Sequence, residues 1–443
     1  MIYRVPTGTE MTPDLLYELI NRHKKYVRLS AKPLLDAYKN KYKIFKQPAK
    51  PAYKPDNRIA VNYAKYITDT FNGFFIGIPA KVTSDIEAVS EYVDTLNKRN
   101  DVDNNNAELS KLADINGSAF EMYYNKEDGE TGITYLSDLE AFMVVDDSIL
   151  ERPLYFVRYY KDANKNEYGS FSDSRIVQHF YLKNGVYRWD GDEHYHGFEY
   201  VPAVEYLSND ERMGLFESAM PAINAYNKAL SEKANDVDYF SDSYMKIIGP
   251  SIDEEDTIHM RSTRVINFEG DFSENGAPIV EFMGKPDSDA AQENLLERLK
   301  EDIFLTSMVA NISDENFGSS SGIALRYKLQ AMSNLFTAKS RRFTSAMQER
   351  YKIIFSSPIA QQHGVSKADW ESIDIVFTAN YPANIESEAS VAKSLEGVVS
   401  KETQLKVLSV VDNVTDELDR IEQEQLPSVV DNVYGNTTTE AIQ

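Results

Sequence analysis

The chain reads as a multi-domain α+β protein, and three features of the sequence predict this. Apolar residues recur every three to four positions from Thr12 to Asn116 and again beyond Leu215, the spacing of amphipathic helices. Between them, Ser118 to Leu207 breaks into short apolar and aromatic runs separated by turn pairs, the pattern of antiparallel strands. Finally, two long helical patterns flank a short polar loop at 311–322. At 443 residues the chain exceeds the usual reach of one hydrophobic core, so more than one domain is expected.

Taken in order, Leu15, Leu16, Leu19, Ile20 and Tyr26 predict a helix from Thr12, which continues from Pro33 to Tyr42 after a break around Ser30. Basic residues cluster from Arg22 to Lys54, and Pro48, Pro51 and Pro55 force an extended linker. Asp56 or Asn57 is expected to cap a helix over 58–75 that closes at Gly77 and Pro79. Shorter helices follow over 85–98 and 107–116.

Strands are predicted over 119–124, 132–136, 142–145, 154–160, 176–182 and 186–189. Asp128-Gly129, Asn184-Gly185 and Asp190-Gly191 serve as hairpin turns. A helix of roughly 40 Å is expected over 215–243, with Pro221 tolerable only in its first turn. The segment 244–285 reads as a small β-rich insert with strands at 245–248, 264–268 and 279–282. Ala291, Leu295, Leu299 and Ile303 then mark a helix before the polar loop, and a stripe from Ile323 to Met347 marks a longer one after it. A strand at 373–378 and helices at 385–395, 401–411 and 415–425 follow, with Gly397 as a stop and Ser400 as a cap. The residues from 426 to 443 have little to pack and read as a mobile tail.

Hydrophobic residues at 42% argue against a disordered chain. No opening basic-then-apolar segment and no long apolar run is present, so a soluble, unprocessed protein without membrane contact is expected. The absence of cysteine removes disulfides, thiolate metal sites and cysteine nucleophiles together. A net charge of −23 disfavours a high-affinity nucleic-acid binder, without excluding a surface that DNA must pass without sticking.

Candidate chemistry is sparse. His194 and His196 fall on one face of a strand, near Asp190, Asp192 and Glu193, but spacing supplies no third ligand, and a solvated hairpin end is the plainer reading. Gly318 to Gly322 lacks the Lys-Ser/Thr ending of a phosphate-binding loop and reads as a hinged loop with Ser321 as a helix cap. Acids along 217–242 and 287–302 recur at helical spacing, as on solvated faces, though such a face can still line a channel. Lys328, Lys339, Arg341, Arg342, Arg350 and Lys352 form a basic stretch, either an exposed face or a partner for acidic helices of a neighbouring subunit. No metal or cofactor site is expected, and the residues favour architecture over catalysis.

Two strings carry a resemblance. One is Asn57-Arg-Ile-Ala-Val-Asn-Tyr-Ala-Lys-Tyr-Ile-Thr-Asp69 with Gly73-Phe-Phe-Ile-Gly-Ile-Pro79, and the other is Phe317-Gly-Ser-Ser-Ser-Gly-Ile-Ala-Leu325 with its helix. With 225–231 and 399–404, they resemble the portal (head–tail connector) proteins of tailed bacteriophages, of the type found in siphophages and prophages of Gram-positive hosts. The resemblance covers about residues 10 to 425 and rests on structural strings without a catalytic signature.

It implies a ring, typically of twelve subunits, around a central channel, each subunit divided into wing, stem, clip and crown. By element order the mixed α/β wing takes 1–213 and 323–385, the helical stem 214–243 and 286–310, the β-rich clip 244–285, and the helical crown with its tail 386–443. The loop 311–322 becomes the tunnel loop, with Ser313, Asp314, Glu315, Asn316, Phe317, Gly318, Ser319 and Ser320 facing DNA. Glu232, Asp236, Glu293, Glu297 and Glu301 are the channel-lining stem candidates. Asp253, Glu254, Glu255, Asp256 and Arg261 are the clip docking candidates.

The implied partners are further copies of the chain, the terminase large subunit with its ATPase, a head–tail adaptor, capsid and scaffolding proteins, and double-stranded DNA in transit. The place implied is the portal vertex of the virion, after assembly in the host cytoplasm. An acidic lumen with small polar loop tips would let DNA slide where lysine and arginine would hold it. The alternatives are a metal-dependent nucleic-acid enzyme built on the acidic helices and the His194 hairpin, and a capsid or scaffold component without a channel.

Overall fold

The computed structural model describes residues 2–51, 54–241, 245–248, 279–282, 289–313, 322–381, 385–408, 410–411 and 414–425. The chain divides into two units, Met1–Asn311 with Leu329–Asn380, and Ile312–Lys328 with Tyr381–Gln443. The predicted mixture of helices and antiparallel sheet is observed.

In the larger unit, strand β1 (Tyr3–Val5) lies parallel to β5 (Ala141–Asp146) at one edge of a six-stranded sheet. The sheet continues through β6 (Pro153–Lys161), β7 (Glu167–Ser172), β8 (Ile176–Lys183) and β9 (Val186–Tyr195). Helix α1 (Pro13–Tyr26), capped by the Thr12 hydroxyl, packs Leu16, Leu19 and Ile20 against Tyr3, Phe142, Val157 and Phe180 of that sheet. A second core joins Phe120, Ala141, Met143, Phe156, Val201 and Ala203. It links the large sheet to a three-stranded one formed by β3 (Ser118–Asn125), β4 (Thr131–Ser137) and β10 (Ala203–Leu207).

The expected break at Ser30 is a π-helical turn, Val27–Ala31, so the chain passes without interruption into α2 (Lys32–Tyr38). The helix expected from residue 58 begins later: Asn62 caps α3 (Tyr63–Ile76), and 56–61 stays extended. Strand β2 (Lys81–Ser84) is short and polar and was not predicted; it pairs with β13 (Ile373–Val376), almost three hundred residues away. Asp190-Gly191 is no hairpin turn but an irregularity inside β9, where the register with β8 shifts between Val177 and His179. Asn184 and Gly185 both take positive φ, as a two-residue hairpin requires. Helices α4 (Glu87–Asn100) and α5 (Val102–Asn116) complete this layer.

Helix α6 (Met220–Ser241) starts five residues later than predicted, placing Pro221 at its second position, where no intrahelical N–H is required. Strands β11 (Met245–Ile248) and β12 (Ile279–Phe282) pair antiparallel, and helix α7 (Asp289–Ser307) follows. The strand expected at 264–268 lies outside the described residues. On α7, Leu296 and Ile303 are buried while Leu295 is half exposed, so the stripe sits one residue off the predicted one at that turn. The single helix expected after the loop is two, α8 (Gly322–Lys328) and α9 (Gln330–Phe355), parted at Leu329. The short α10 (Pro358–Gln362) follows.

The smaller unit contains α8, α11 (Ile385–Ser394), α12 (Lys401–Leu405) and α13 (Val414–Gln425). Ser400 caps α12 as predicted, with its hydroxyl accepting from the Thr403 amide at 3.3 Å, though α12 ends well before the expected residue 411. The tail from 426 lies outside the described residues.

Candidate functional site

The centre of the expected stem is an antiparallel pair, α6 and α7. Lys233 on α6 forms an ion pair with Glu293 on α7, and the Gln292 amide donates to Asp236 at 2.8 Å. At the other end, the Tyr63 ring packs edge-on against both Tyr226 of α6 and Phe304 of α7, with centroids at 5.2 and 5.7 Å. These crossings fix the two helices against each other and against α3.

A polar ladder holds the extended segment 56–61 along α6. Asn227, Ser231 and Asn235 recur four apart on one helix face and are all buried. Their side-chain oxygens accept from the amides of Val61 (2.9 Å), Ile59 (2.9 Å) and Asn57 (2.6 Å), and the Ser231 hydroxyl also lies 3.1 Å from the Ile59 carbonyl. Four residues of helix rise about 6 Å and two residues of extended chain about 6.6 Å, so the two spacings match over the whole ladder. The strings at 57–69 and 225–231 are therefore two halves of one interaction. The bonds are part-buried, so each contributes about 0.5–1.5 kcal/mol to holding the segment on the helix.

Of the channel-lining candidates, Glu232 is bound by Lys50 at 2.9 Å and by the Asn235 amide at 3.2 Å, and the neighbouring cation holds its carboxyl below the ordinary range. Asp236 and Glu293 are engaged across the helix pair as described. Glu297 is exposed, and Glu301 is exposed beside Arg298 at 3.5 Å. The five acids thus share one helix pair, with two left facing solvent and three tying neighbours together. Of the loop candidates, Ser313 is described and exposed, whereas 314–320 lie outside the described residues. The docking candidates from Asp253 to Arg261 also lie outside them.

The basic stretch on α9 follows neither of the two expected readings at its two most important positions. Lys339 is fully buried, with its ammonium 2.7 Å from Asp114 and 2.7 Å from the Ser110 hydroxyl, and 4.5 Å from the Phe75 ring centroid. Burial pushes the Lys339 ammonium down and the Asp114 carboxyl up, each opposed by the other's charge. Arg350, also fully buried, makes a two-pronged pair with Glu121 on β3, both contacts 2.8 Å, and Tyr123 and Tyr206 donate to the same carboxylate. Both pairs pin α9 to α5 and β3 within the subunit. Elsewhere on the stretch, Arg342 pairs with Asp210 and Lys352 with Glu349. The signal available in the sequence was position: Met332, Lys339, Phe343, Ala346 and Arg350 share one helix face.

The histidine hairpin has no free ligand pair. The Phe198 amide donates to His196 Nδ1 at 3.1 Å, so Nε2 carries the proton and donates to the Asp173 carbonyl at 3.0 Å. Both ring nitrogens are used by backbone. Among the described residues no group of three or more acidic or histidine side chains is placed to share a metal ion.

Comparison with known protein families gives the class of this chain, a phage portal protein. The particular family is the one described as "Phage portal protein, SPP1 Gp6-like", which matches residues 18–426, and the chain belongs to it. It is 24% identical over 405 residues to the portal protein of Bacillus phage SPP1, covering 84% of this chain and 76% of that one. It is also 24% identical over 251 residues to the portal protein of Clostridium phage phiCD119, covering 55% of this chain and 53% of that one. A solved structure titled "Neck of empty GTA particle computed with C6 symmetry" aligns with a TM-score of 0.45 at 15% identity, over 78% of this chain and 89% of that one. As a phage portal protein the chain is a virion component. No helix among the described residues is long and apolar enough to cross a membrane.

Proposed function

We propose that copies of this chain form a ring, of twelve subunits by family resemblance, whose channel conducts double-stranded DNA into and out of the capsid at one vertex. The observation that carries this reading is the α6–α7 pair with acids along it, followed directly by the lysine- and arginine-free loop 311–322. Acids outnumber lysines and arginines eight to four on the two stem helices, so the stem offers DNA few counterion-releasing contacts and the duplex slides and does not stick. Ser313 to Ser320 form the loop that meets the DNA, and the segment carrying Asp253 to Asp256 and Arg261 docks first the terminase large subunit and later the head–tail adaptor. Assembly with capsid and scaffolding proteins takes place in the host cytoplasm. The protein is a structural conduit, and the ATPase driving packaging resides in the terminase.

Two measurements test this. Twelve copies of a 50.4-kDa chain make a particle of about 605 kDa, which light scattering and averaged top views would register as a ring; monomers under every assembly condition, including virion extracts, would defeat the reading. Deleting 316–321 should leave procapsids forming at normal yield while packaged or retained DNA falls at least tenfold. Normal DNA content in that deletion would reduce the chain to a capsid component without a channel loop.

A further inference from the structure

In the basic cluster between Arg22 and Arg58, Lys50 is bound to the stem acid Glu232, whereas the residues from Arg22 to Lys46 pair with none of the five channel-lining candidates among the described residues. Along the sequence the cluster holds twelve lysines and arginines against two acids, Asp36 and Asp56, in a chain of net −23, though Lys24 and Lys50 are paired with Glu167 and Glu232 from elsewhere in the fold. The α1–π–α2 run sorts these side chains by face. Leu16, Leu19, Ile20, His23, Ala31, Leu34 and Ala37 point inward and are buried, while Arg22, Lys25, Arg28, Lys32 and Lys39 recur on the outer side and are exposed. The stripe is about 25 Å long at 1.5 Å per residue. It runs on into Lys41 and Lys43, exposed on either side of the buried Tyr42, and into Lys46. Asp36 ties the two parts together, 3.2 Å from Lys32 and 3.1 Å from Lys46, and neutralises only one of them. Lys25, Arg28, Lys39, Lys41 and Lys43 have no carboxylate partner among the described residues.

We propose that this stripe is a second nucleic-acid contact, which holds the phosphate backbone of double-stranded DNA without reading sequence and is separate from the channel. A charged patch is felt within roughly 8 Å at physiological salt, so the unpaired cations Lys25, Arg28, Lys39, Lys41 and Lys43, and not the distant negative charge, govern what approaches the stripe. Duplex DNA presents one charge per about 1.7 Å of axis, so the stripe spans about fifteen phosphates. An acidic protein partner fits less well. Stable protein interfaces need a desolvated apolar centre, and within 22–46 only Leu29 and Phe45 are exposed large apolar side chains. Phosphate contact needs no such centre, because the released counterions supply the driving force.

The test is competition binding to the full-length protein with a covalently closed circular plasmid, which has no end to thread through a ring. The parent should bind it in a strongly salt-dependent way. K39Q/K41Q/K43Q should lower the slope of log affinity against log salt by about 2.7, at about 0.9 per lost phosphate contact, and weaken binding at 0.1 M salt at least tenfold. K161Q/K165Q/K183Q, the same charge change elsewhere, should match the parent. On the unaltered protein, plasmid should also shield Lys39, Lys41 and Lys43 from acetylation, a readout independent of how the variant folds. No plasmid binding at 50 mM salt, equal slopes for parent and stripe variant, or no shielding would overturn the proposal. So would loss of a salt-sensitive self-association with plasmid binding unchanged, which would give the stripe to an acidic face of a second copy.

Discussion

At the residue scale the interior is held by charge pairs that only make sense together. Lys339 and Asp114 are each buried, and among the described residues each is the other's only counterion, so Lys339→Met alone leaves a carboxylate stranded and should cost about 3–5 kcal/mol in urea denaturation. The double change with Asp114→Leu should recover most of that loss, and a double variant no better than the single would show that the pair is not the source of the cost. A second buried pair of groups titrates in opposite senses. His23 donates from Nε2 to the Asp138 carbonyl and accepts from the Tyr159 hydroxyl, each at 2.8 Å, and burial lowers its pKa to about 4. Burial raises the Asp138 carboxyl to about 7, against hydrogen bonds from Tyr26 and Asn116. Below pH 6.5 the unfolded chain protonates His23 first, so that residue costs stability as pH falls towards 4. Asp138 holds its proton longer when folded, so it costs stability as pH rises from about 4 to about 7. Asp138→Asn should therefore gain on the parent by about 1.4 kcal/mol per pH unit across that window, read from paired denaturation curves. A flat difference would mean that the carboxyl titrates normally.

At the element scale the ladder between α6 and the segment 56–61 matters most. Removing one acceptor leaves one part-buried amide without its partner, so Asn227→Ala or Ser231→Ala should each cost about 0.5–1.5 kcal/mol and speed hydrogen exchange at Val61 or Ile59 respectively. Unchanged exchange at those amides would place the holding force elsewhere. Much at this scale was legible in the sequence: the long helices, the Ser400 cap, and five of the six predicted strands of the 118–207 block to within about two residues. What was missed is short or non-local. Strands β2, β7 and β10 have weak alternation of their own and are defined by partners supplied elsewhere in the chain. Asp190-Gly191 carries the composition of a turn, yet the pairing across β8 absorbs it as a register shift. The start of α3 moved to Asn62 because α6 supplies the side chains that keep 57–61 extended.

At the scale of the whole molecule, large apolar side chains remain exposed on the paired helices: Leu305 at 75%, Val237 at 59% and Leu295 at 51%. In the proposed ring these would be covered by neighbouring copies. Leu305→Gln with Val237→Gln should shift the particle from about 605 kDa towards single chains while leaving the unfolding free energy of the monomer within about 0.5 kcal/mol of the parent. An unaltered particle mass would remove these two positions from any subunit contact.

The sequence by itself determined the family, the α+β class and the succession of the long helices. Each of these is carried by local periodicity, by composition or by contiguous strings. Only the tertiary structure decided that Lys339 and Arg350 face inward, that Asn227, Ser231 and Asn235 serve a segment some 170 residues earlier, and that three of the five stem acids are already bound. The physical reason is the same in all three. A polar side chain's role is set by the partner that meets it in space, and one-dimensional spacing records where a side chain points without recording what waits there.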